Sequence, residues 1–190
     1  MSKPDLILPT MGGRNQPFGG NPQFYADPKF GGIKGHNGID FMTNHGWTVY
    51  ASHDGTAEYQ IDISGGHGVV ITSLDKTYKT IYWHLCDDSD PQFKSPFWGL
   101  KDMPVETGEI VGYSDNTGAS TGNHLHWGLK FCVNGETINN DNGFLGAVDP
   151  MPYCNMYTPI QFLELKQKVT LLQKIIELYK QILGKTKPSL

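Results

Sequence analysis

Arginine is nearly missing from this 190-residue chain: Arg14 is the only one. Surfaces that bind nucleic acid need a basic stripe, whereas residues 1–158 carry nine Lys/Arg against seventeen Asp/Glu, so no nucleic-acid partner is expected. Long apolar runs are missing as well. Nothing approaches the roughly 20 consecutive apolar residues of a membrane span, so no transmembrane segment is expected. The opening MSKPDLILPTMGG has neither the apolar stretch nor the small-residue cleavage site of a secretory signal. Cysteine is scarce: Cys86, Cys132 and Cys154 lie far apart, without the spacing of a zinc knuckle or a disulfide scaffold, and read as reduced residues.

What is plentiful is turn chemistry. With 23 Gly, 12 Pro and 12% aromatics, the composition favours many short strands joined by tight turns around one core. The runs TVYASHD, GTAEYQIDI, GVVITSL, KTIYWHL, EIVGYS and HLHWGLKFCV have strand length and strand residue types, punctuated by Asp54-Gly55, Gly65-Gly66, Thr117-Gly118 and Asn134-Gly135. The expected class is mainly β: an antiparallel, sandwich-like domain with long loops, plus a C-terminal α-helix. The expected organisation is an irregular arm over 1–32, the domain over 33–157, the helix over 158–184 and a tail over 185–190.

In that helix Phe162, Leu165, Val169, Leu172, Ile176, Tyr179 and Leu183 follow steps of three and four, the seam of three heptads, and Gly184 and Pro188 should stop it. Residues 159–190 carry six Lys and two Glu. The stripe over 159–183 should be covered by the chain's own β-domain, by another copy in a coiled coil, or by an envelope surface.

The seven histidines carry the chemistry. In GHNGID, His36 and Asp40 lie four apart, but Gly35 and Gly38 disfavour a helix, so the two must converge from a turn entering a strand. In NHLHWGLKF, His124 and His126 lie at i and i+2, which on a strand share one face. His84 ends the run TIYWHL and is a fourth candidate. Imidazole and carboxylate suit Zn²⁺, and a catalytic zinc commonly takes three protein ligands and leaves one position open.

GHNGIDF, YASHDGTAEY, GGHGVVI, YWHL, VETGEIVGYSDNTG and GASTGNHLHWGL stand in the order found in the lysostaphin-like, or LytM-type, zinc metallopeptidases, and the chain resembles that family over roughly residues 30–131. The resemblance implies one Zn²⁺ per chain held by His36, Asp40 and His126, with His84 and His124 as unmetallated catalytic histidines. It implies a peptidoglycan hydrolase cutting a stem peptide or cross-bridge of the bacterial cell wall. Without a visible export signal, a holin-like pore, a virion or another route would deliver it, as for a phage endolysin. A non-catalytic wall-binding or activator module and a virion structural component are the alternatives; the filled ligand positions favour catalysis.

His45, His53 and His67 match no ligand position, and His53 and His67 are expected as exposed turn residues. Lys34 stands where relatives commonly carry arginine. The loop CDDSDPQFKSPFWGLKDMP begins two residues after His84, so Phe93, Phe97 and Trp98 are expected to wall a substrate groove.

Overall fold

From Gly55 to Asp62 the burial alternates, with Ala57 and Tyr59 covered and Thr56, Glu58 and Gln60 half-exposed, which is how a strand behaves when one face meets a core. Strands of this kind dominate the computed structural model, which describes residues 3–28 and 32–185. In chain order they are β1 (Arg14–Gln16), β2 (Ile39–Met42), β3 (Thr48–Tyr50), β4 (Gly55–Asp62), β5 (Gly66–Ser73), β6 (Tyr78–Leu85), β7 (Met103–Val105), β8 (Ile110–Tyr113), β9 (His124–Val133), β10 (Glu136–Thr137) and β11 (Ala147–Val148). A short helix, α1 (Pro22–Tyr25), lies in the N-terminal segment, and α2 (Pro159–Lys185) closes the chain. The protein is therefore mainly antiparallel β with one long C-terminal helix.

The main sheet runs β1-β2-β9-β6-β5-β4-β7, with β10 and β11 also paired to β9, while β3 and β8 form a separate two-stranded sheet. Asn134 and Gly135 both take positive φ, 52° and 86°, in the two-residue turn from β9 to β10, as an Asn-Gly hairpin requires. Leu125, Trp127 and Leu129 of β9 are fully buried and join Tyr82, Ile71 and Phe41 from the same sheet and Val49 and Val111 from the smaller one in a single core. The opposite face of β9 is left for His124, His126 and Lys130.

The N-terminal arm is less irregular than its composition implies. Leu6 and Ile7 are buried, Leu6 donates its N–H to Tyr153 O at 2.9 Å, and β1 pairs with β2. Three residues without alternation leave no periodic signal, which hides β1 in the sequence. Met1, Ser2, residues 29–31 of the arm and residues 186–190 of the expected tail lie outside the described residues.

The helix starts on a capping box: Gln161 N–H donates to Thr158 Oγ1 at 3.3 Å, Thr158 N–H donates to Gln161 Oε1 at 3.0 Å, and Pro159 takes the first position. Its first turns touch the domain, where Lys166 Nζ reaches Glu106 Oε2 at 2.6 Å and residues as far as Gln173 line a cleft with Leu74 and Pro104. Beyond that point Ile175, Ile176, Leu178, Tyr179 and Ile182 are all exposed. Among the described residues no helix is long and apolar enough to cross a membrane.

His53 and His67 are not exposed turn residues. His53 is 3% exposed, donating from Nδ1 to Asp54 O at 2.8 Å with Nε2 2.9 Å from Thr80 Oγ1. His67 lies within β5, half-covered, its ring stacked on Trp98 at 14° and its Nδ1 bonded to the Tyr59 hydroxyl. The glycines beside them mark strand ends rather than surface corners.

Candidate active site

Asp40 on β2 stands directly opposite His126 on β9, and His36 enters from the turn four residues earlier. The three donor atoms form a small triangle: His36 Nε2 to Asp40 Oδ1 is 3.1 Å, His126 Nδ1 to Asp40 Oδ1 is 3.2 Å, and His36 Nε2 to His126 Nδ1 is 2.9 Å. Ligands about 2.0–2.2 Å from a tetrahedral zinc stand roughly 3.3 Å apart, so a small opening of this triangle fits the ion. The donor set, two imidazoles and one carboxylate, suits it as well.

The arm orients the first histidine. His36 Nδ1 donates to Pro17 O at 3.3 Å, which leaves the Nε2 lone pair facing the cluster, and Gly19 N–H donates to His36 O at 2.8 Å. Tyr25 of α1 stacks on the His36 ring, its hydroxyl accepting from Gln16 Nε2 at 3.0 Å; burial and the nearby Asp40 raise the phenol above its ordinary pKa. The second histidine has a different constraint. A Cβ at Gly38 would stand 2.6 Å from two atoms of the His126 ring and 2.7 Å from Trp127 O, so only glycine lets the turn pass so close.

His84 and His124 complete the group. His84 sits at φ 63° where the β5–β6 register slips, a bulge that turns its ring out of the ladder. Its Nδ1 donates to Thr117 O at 2.7 Å, and the His124 Nδ1 donates to Gly122 O at 2.8 Å, so each ring presents Nε2 to the cleft. The two rings lie 4.4 Å apart by centroid, and His124 Nε2 is 3.8 Å from Asp40 Oδ1.

Charge is arranged to suit a cation. Burial alone would raise the Asp40 carboxyl, but the adjacent His126 and His36 hold it well below the usual carboxylate range. Burial lowers His126, partly offset by Asp40, and burial together with the neighbouring His124 lowers His84 to about 4. Asp40 thus stands as a carboxylate beside His126 and His84, both shifted toward the neutral imidazole, which is the form a metal ligand or a proton acceptor needs.

A cavity of about 450 Å³ opens beside the cluster. Its floor is the face of the main sheet that carries Gln60, Lys79, Ile81, Trp83 and Lys130, and Tyr25 and Leu145 stand among its walls. Phe93, Phe97 and Trp98 do not line it. Phe97 is buried in the core, Trp98 packs on Tyr59 and His67, and Phe93 packs on His45 and Tyr113.

Residues 34–140 match the sequence profile described as peptidase family M23. The chain belongs to peptidase family M23. Among M23 relatives, an uncharacterized metalloprotease of Haemophilus influenzae is 37% identical over 113 residues, 59% of this chain and 22% of that protein. The peptidoglycan DD-endopeptidase ShyA of Vibrio cholerae is 35% identical over 104 residues, 55% of this chain and 22% of that protein. The chain thus spans about a fifth of the length of these curated relatives. The catalytic domain of the antimicrobial peptidase lysostaphin from Staphylococcus simulans superposes with a TM-score of 0.51 at 27% identity, covering 77% of this chain and 91% of that one.

Of the residues singled out in the sequence, His36, Asp40, His126, His84 and His124 come together, and the three loop aromatics lie elsewhere. Sequence reasoning missed the carbonyls of Pro17, Thr117 and Gly122, which carry no residue-type signal because every residue has a carbonyl. It also missed Lys79 and Lys130, whose meeting depends on strand register.

Proposed function

We propose that this chain is a zinc metalloendopeptidase that hydrolyses peptide bonds in bacterial peptidoglycan. The observation that carries the reading is the convergence of His36, Asp40 and His126, with His84 and His124 beside them, in a protein of family M23. One catalytic zinc per chain would be held by His36 Nε2, Asp40 Oδ1 and His126 Nδ1. When bound, the ion supplies Lewis acidity toward a water molecule and the scissile carbonyl. His84 and His124 would do the proton work: with Nδ1 of each tied to a backbone carbonyl, an Nε2 lone pair takes the proton of the attacking water, and the Nε2–H so formed donates to the developing oxyanion and passes that proton to the leaving amine.

The groove floor bears on the substrate. Lys79 of β6 and Lys130 of β9 are direct cross-strand partners, both half-buried, and neither makes an ion pair among the described residues. Burial and the adjacent Lys79 lower the Lys130 ammonium from its ordinary pKa. Like charges facing each other across a ladder cost stability, so an anion supplied from outside is the natural counterpart. Peptidoglycan stem peptides with free carboxylates fit this floor better than neutral cross-bridges.

The chain would act at the cell wall. The exposed seam of α2 supports self-association, which would make the helix an assembly element. Digestion of purified peptidoglycans of different cross-bridge chemistry, with the new amino termini identified by mass spectrometry, tests the activity and the bond together. No new termini from any wall would refute hydrolysis; cleavage confined to walls with neutral cross-bridges would refute the carboxylate preference alone.

A further inference from the structure

A second convergence of metal-binding atoms lies outside the catalytic cluster. His45, Cys86 and Asp115 bring Nδ1, Sγ and a carboxylate oxygen to within 4.8 Å of one another. They come from three places in the chain: the turn between β2 and β3, the residue after β6, and the segment after β8. His45 Nδ1 is 2.9 Å from Asp115 Oδ1 and 3.8 Å from Cys86 Sγ. The other ring nitrogen, Nε2, faces Asp90 Oδ2 at 3.6 Å, and the Phe93 ring meets His45 edge-on at 5.3 Å.

We propose that His45, Cys86 and Asp115 form a second site for a borderline-soft divalent cation of the zinc type, with the fourth position open to water. About a tetrahedral zinc, with bonds of roughly 2.0–2.1 Å to N or O and 2.3 Å to S, the N–O and N–S separations are about 3.3 and 3.6 Å, close to those present here. Thiolate and imidazole donors exclude Mg²⁺ and Ca²⁺ as the natural occupants. Asp90 on the far nitrogen of His45 is the outer carboxylate that fixes a ligating imidazole. The side chain of His45 is 43% exposed, which gives the ion an entry path, whereas Cys86 is buried.

The thiol fits the same account. Cys86 Sγ is buried, donates to Ser114 O at 3.4 Å and lies near the carboxyl groups of Asp115, Asp90 and Asp87. Negative surroundings that disfavour a thiolate favour a divalent cation, and binding would release the Sγ proton to solvent. The site would act as a clamp. Asp115 N–H donates to His84 O at 2.7 Å, and Asp115 O accepts from His124 N–H at 3.1 Å, so an ion on the Asp115 carboxylate fastens the segment that joins both histidines.

Cobalt titration of the metal-stripped, full-length protein tests this independently of the catalytic reading, because the cluster of His36, Asp40 and His126 contains no sulfur. A sulfur-to-cobalt charge-transfer band in the near ultraviolet should appear in the native protein and in the double variant His36→Ala/His126→Ala. It should vanish in Cys86→Ser. In His45→Ala, at a side chain 43% exposed, Co²⁺ should bind at least tenfold more weakly, and Asp90→Asn should weaken it on the order of tenfold, with circular dichroism confirming that both variants are folded. Absence of the band from native protein at saturating Co²⁺, its persistence in Cys86→Ser, or unchanged affinity in His45→Ala would each overturn the site. Loss of activity in the double variant with the band retained would bear on the catalytic cluster alone.

Discussion

The Nδ1 of His84 donates to the carbonyl oxygen of Thr117 across 2.7 Å, and this bond decides which nitrogen of the ring faces the cleft. In the function proposed above, His84 and His124 serve proton transfer rather than coordination, since they stand beside the cluster of His36, Asp40 and His126. His84→Ala and His124→Ala should each keep the catalytic zinc and lose on the order of a hundredfold or more in turnover. Asp40→Ala should lose both. Elemental analysis beside a peptidoglycan-release assay separates the cases; normal cleavage by either histidine variant removes that residue from the mechanism.

Gly38→Ala should behave as a metal-site variant although glycine ligates nothing. Its Cβ would collide with the His126 ring and Trp127 O, displacing the imidazole. Zinc affinity should fall at least tenfold, with a stability loss of about 1–3 kcal/mol from the overpacked turn. Competition with a chromogenic chelator reads the affinity, and unchanged binding would show that the turn yields freely.

Opposed lysines on the groove floor predict a trade between stability and affinity. Lys79→Met should raise stability by a few tenths of a kcal/mol, since it removes a like-charge pair, and should raise KM for carboxylate-bearing stem peptides with little change in kcat. Thermal melts and steady-state kinetics on one preparation measure both. A KM that does not move would detach the pair from substrate.

His53 predicts an acid-side loss of stability away from the active site. Burial lowers its pKa to about 4, against the opposing influence of Asp54 and Asp75, while the unfolded value is near 6.5. The unfolded chain therefore takes up the proton first: this contribution is full above about pH 6.5 and is lost as the pH falls toward 4, roughly 3 kcal/mol in all. His53→Gln should flatten the dependence of Tm on pH across that window, and an unaltered slope would assign the loss to other groups.

The seam of α2 predicts an oligomer. Sedimentation of the full chain should show a species larger than a monomer, and truncation after Thr158 should return a monomer whose Tm lies within a few degrees of the parent's, because only the first turns touch the domain. A full-length monomer at micromolar concentration would count against self-association.

Legibility followed the range of the signal. His124 and His126 share a face because strand period is two, and the run HLHWGLKFCV became β9 with the bounds its residue types implied. The start of the C-terminal helix near residue 158 was equally local, and the helix begins at Pro159. Contacts set by register or by backbone were invisible: Lys79 meets Lys130 only once β6 is aligned on β9, and Pro17 reaches His36 only once the arm folds back. His53 misled because a histidine beside an Asp-Gly pair looks solvent-facing, whereas Gly55 begins a strand and carries its neighbour inward.

The attachment of the arm to His36 has a consequence for motion. Pro17 O holds the Nδ1 of that ring, and Gly19 and Gly20 exchange main-chain bonds with its backbone, so the arm cannot lift without releasing a ligand of the proposed zinc. Opening of this segment and departure of the ion are then linked equilibria. At a free zinc concentration 100 times the dissociation constant, opening becomes harder by about 2.7 kcal/mol, roughly a hundredfold slowing of amide exchange around Gly19 and His36. The loaded site thus acts as the latch on its own N-terminal flank, and protease resistance there becomes a measure of metal occupancy.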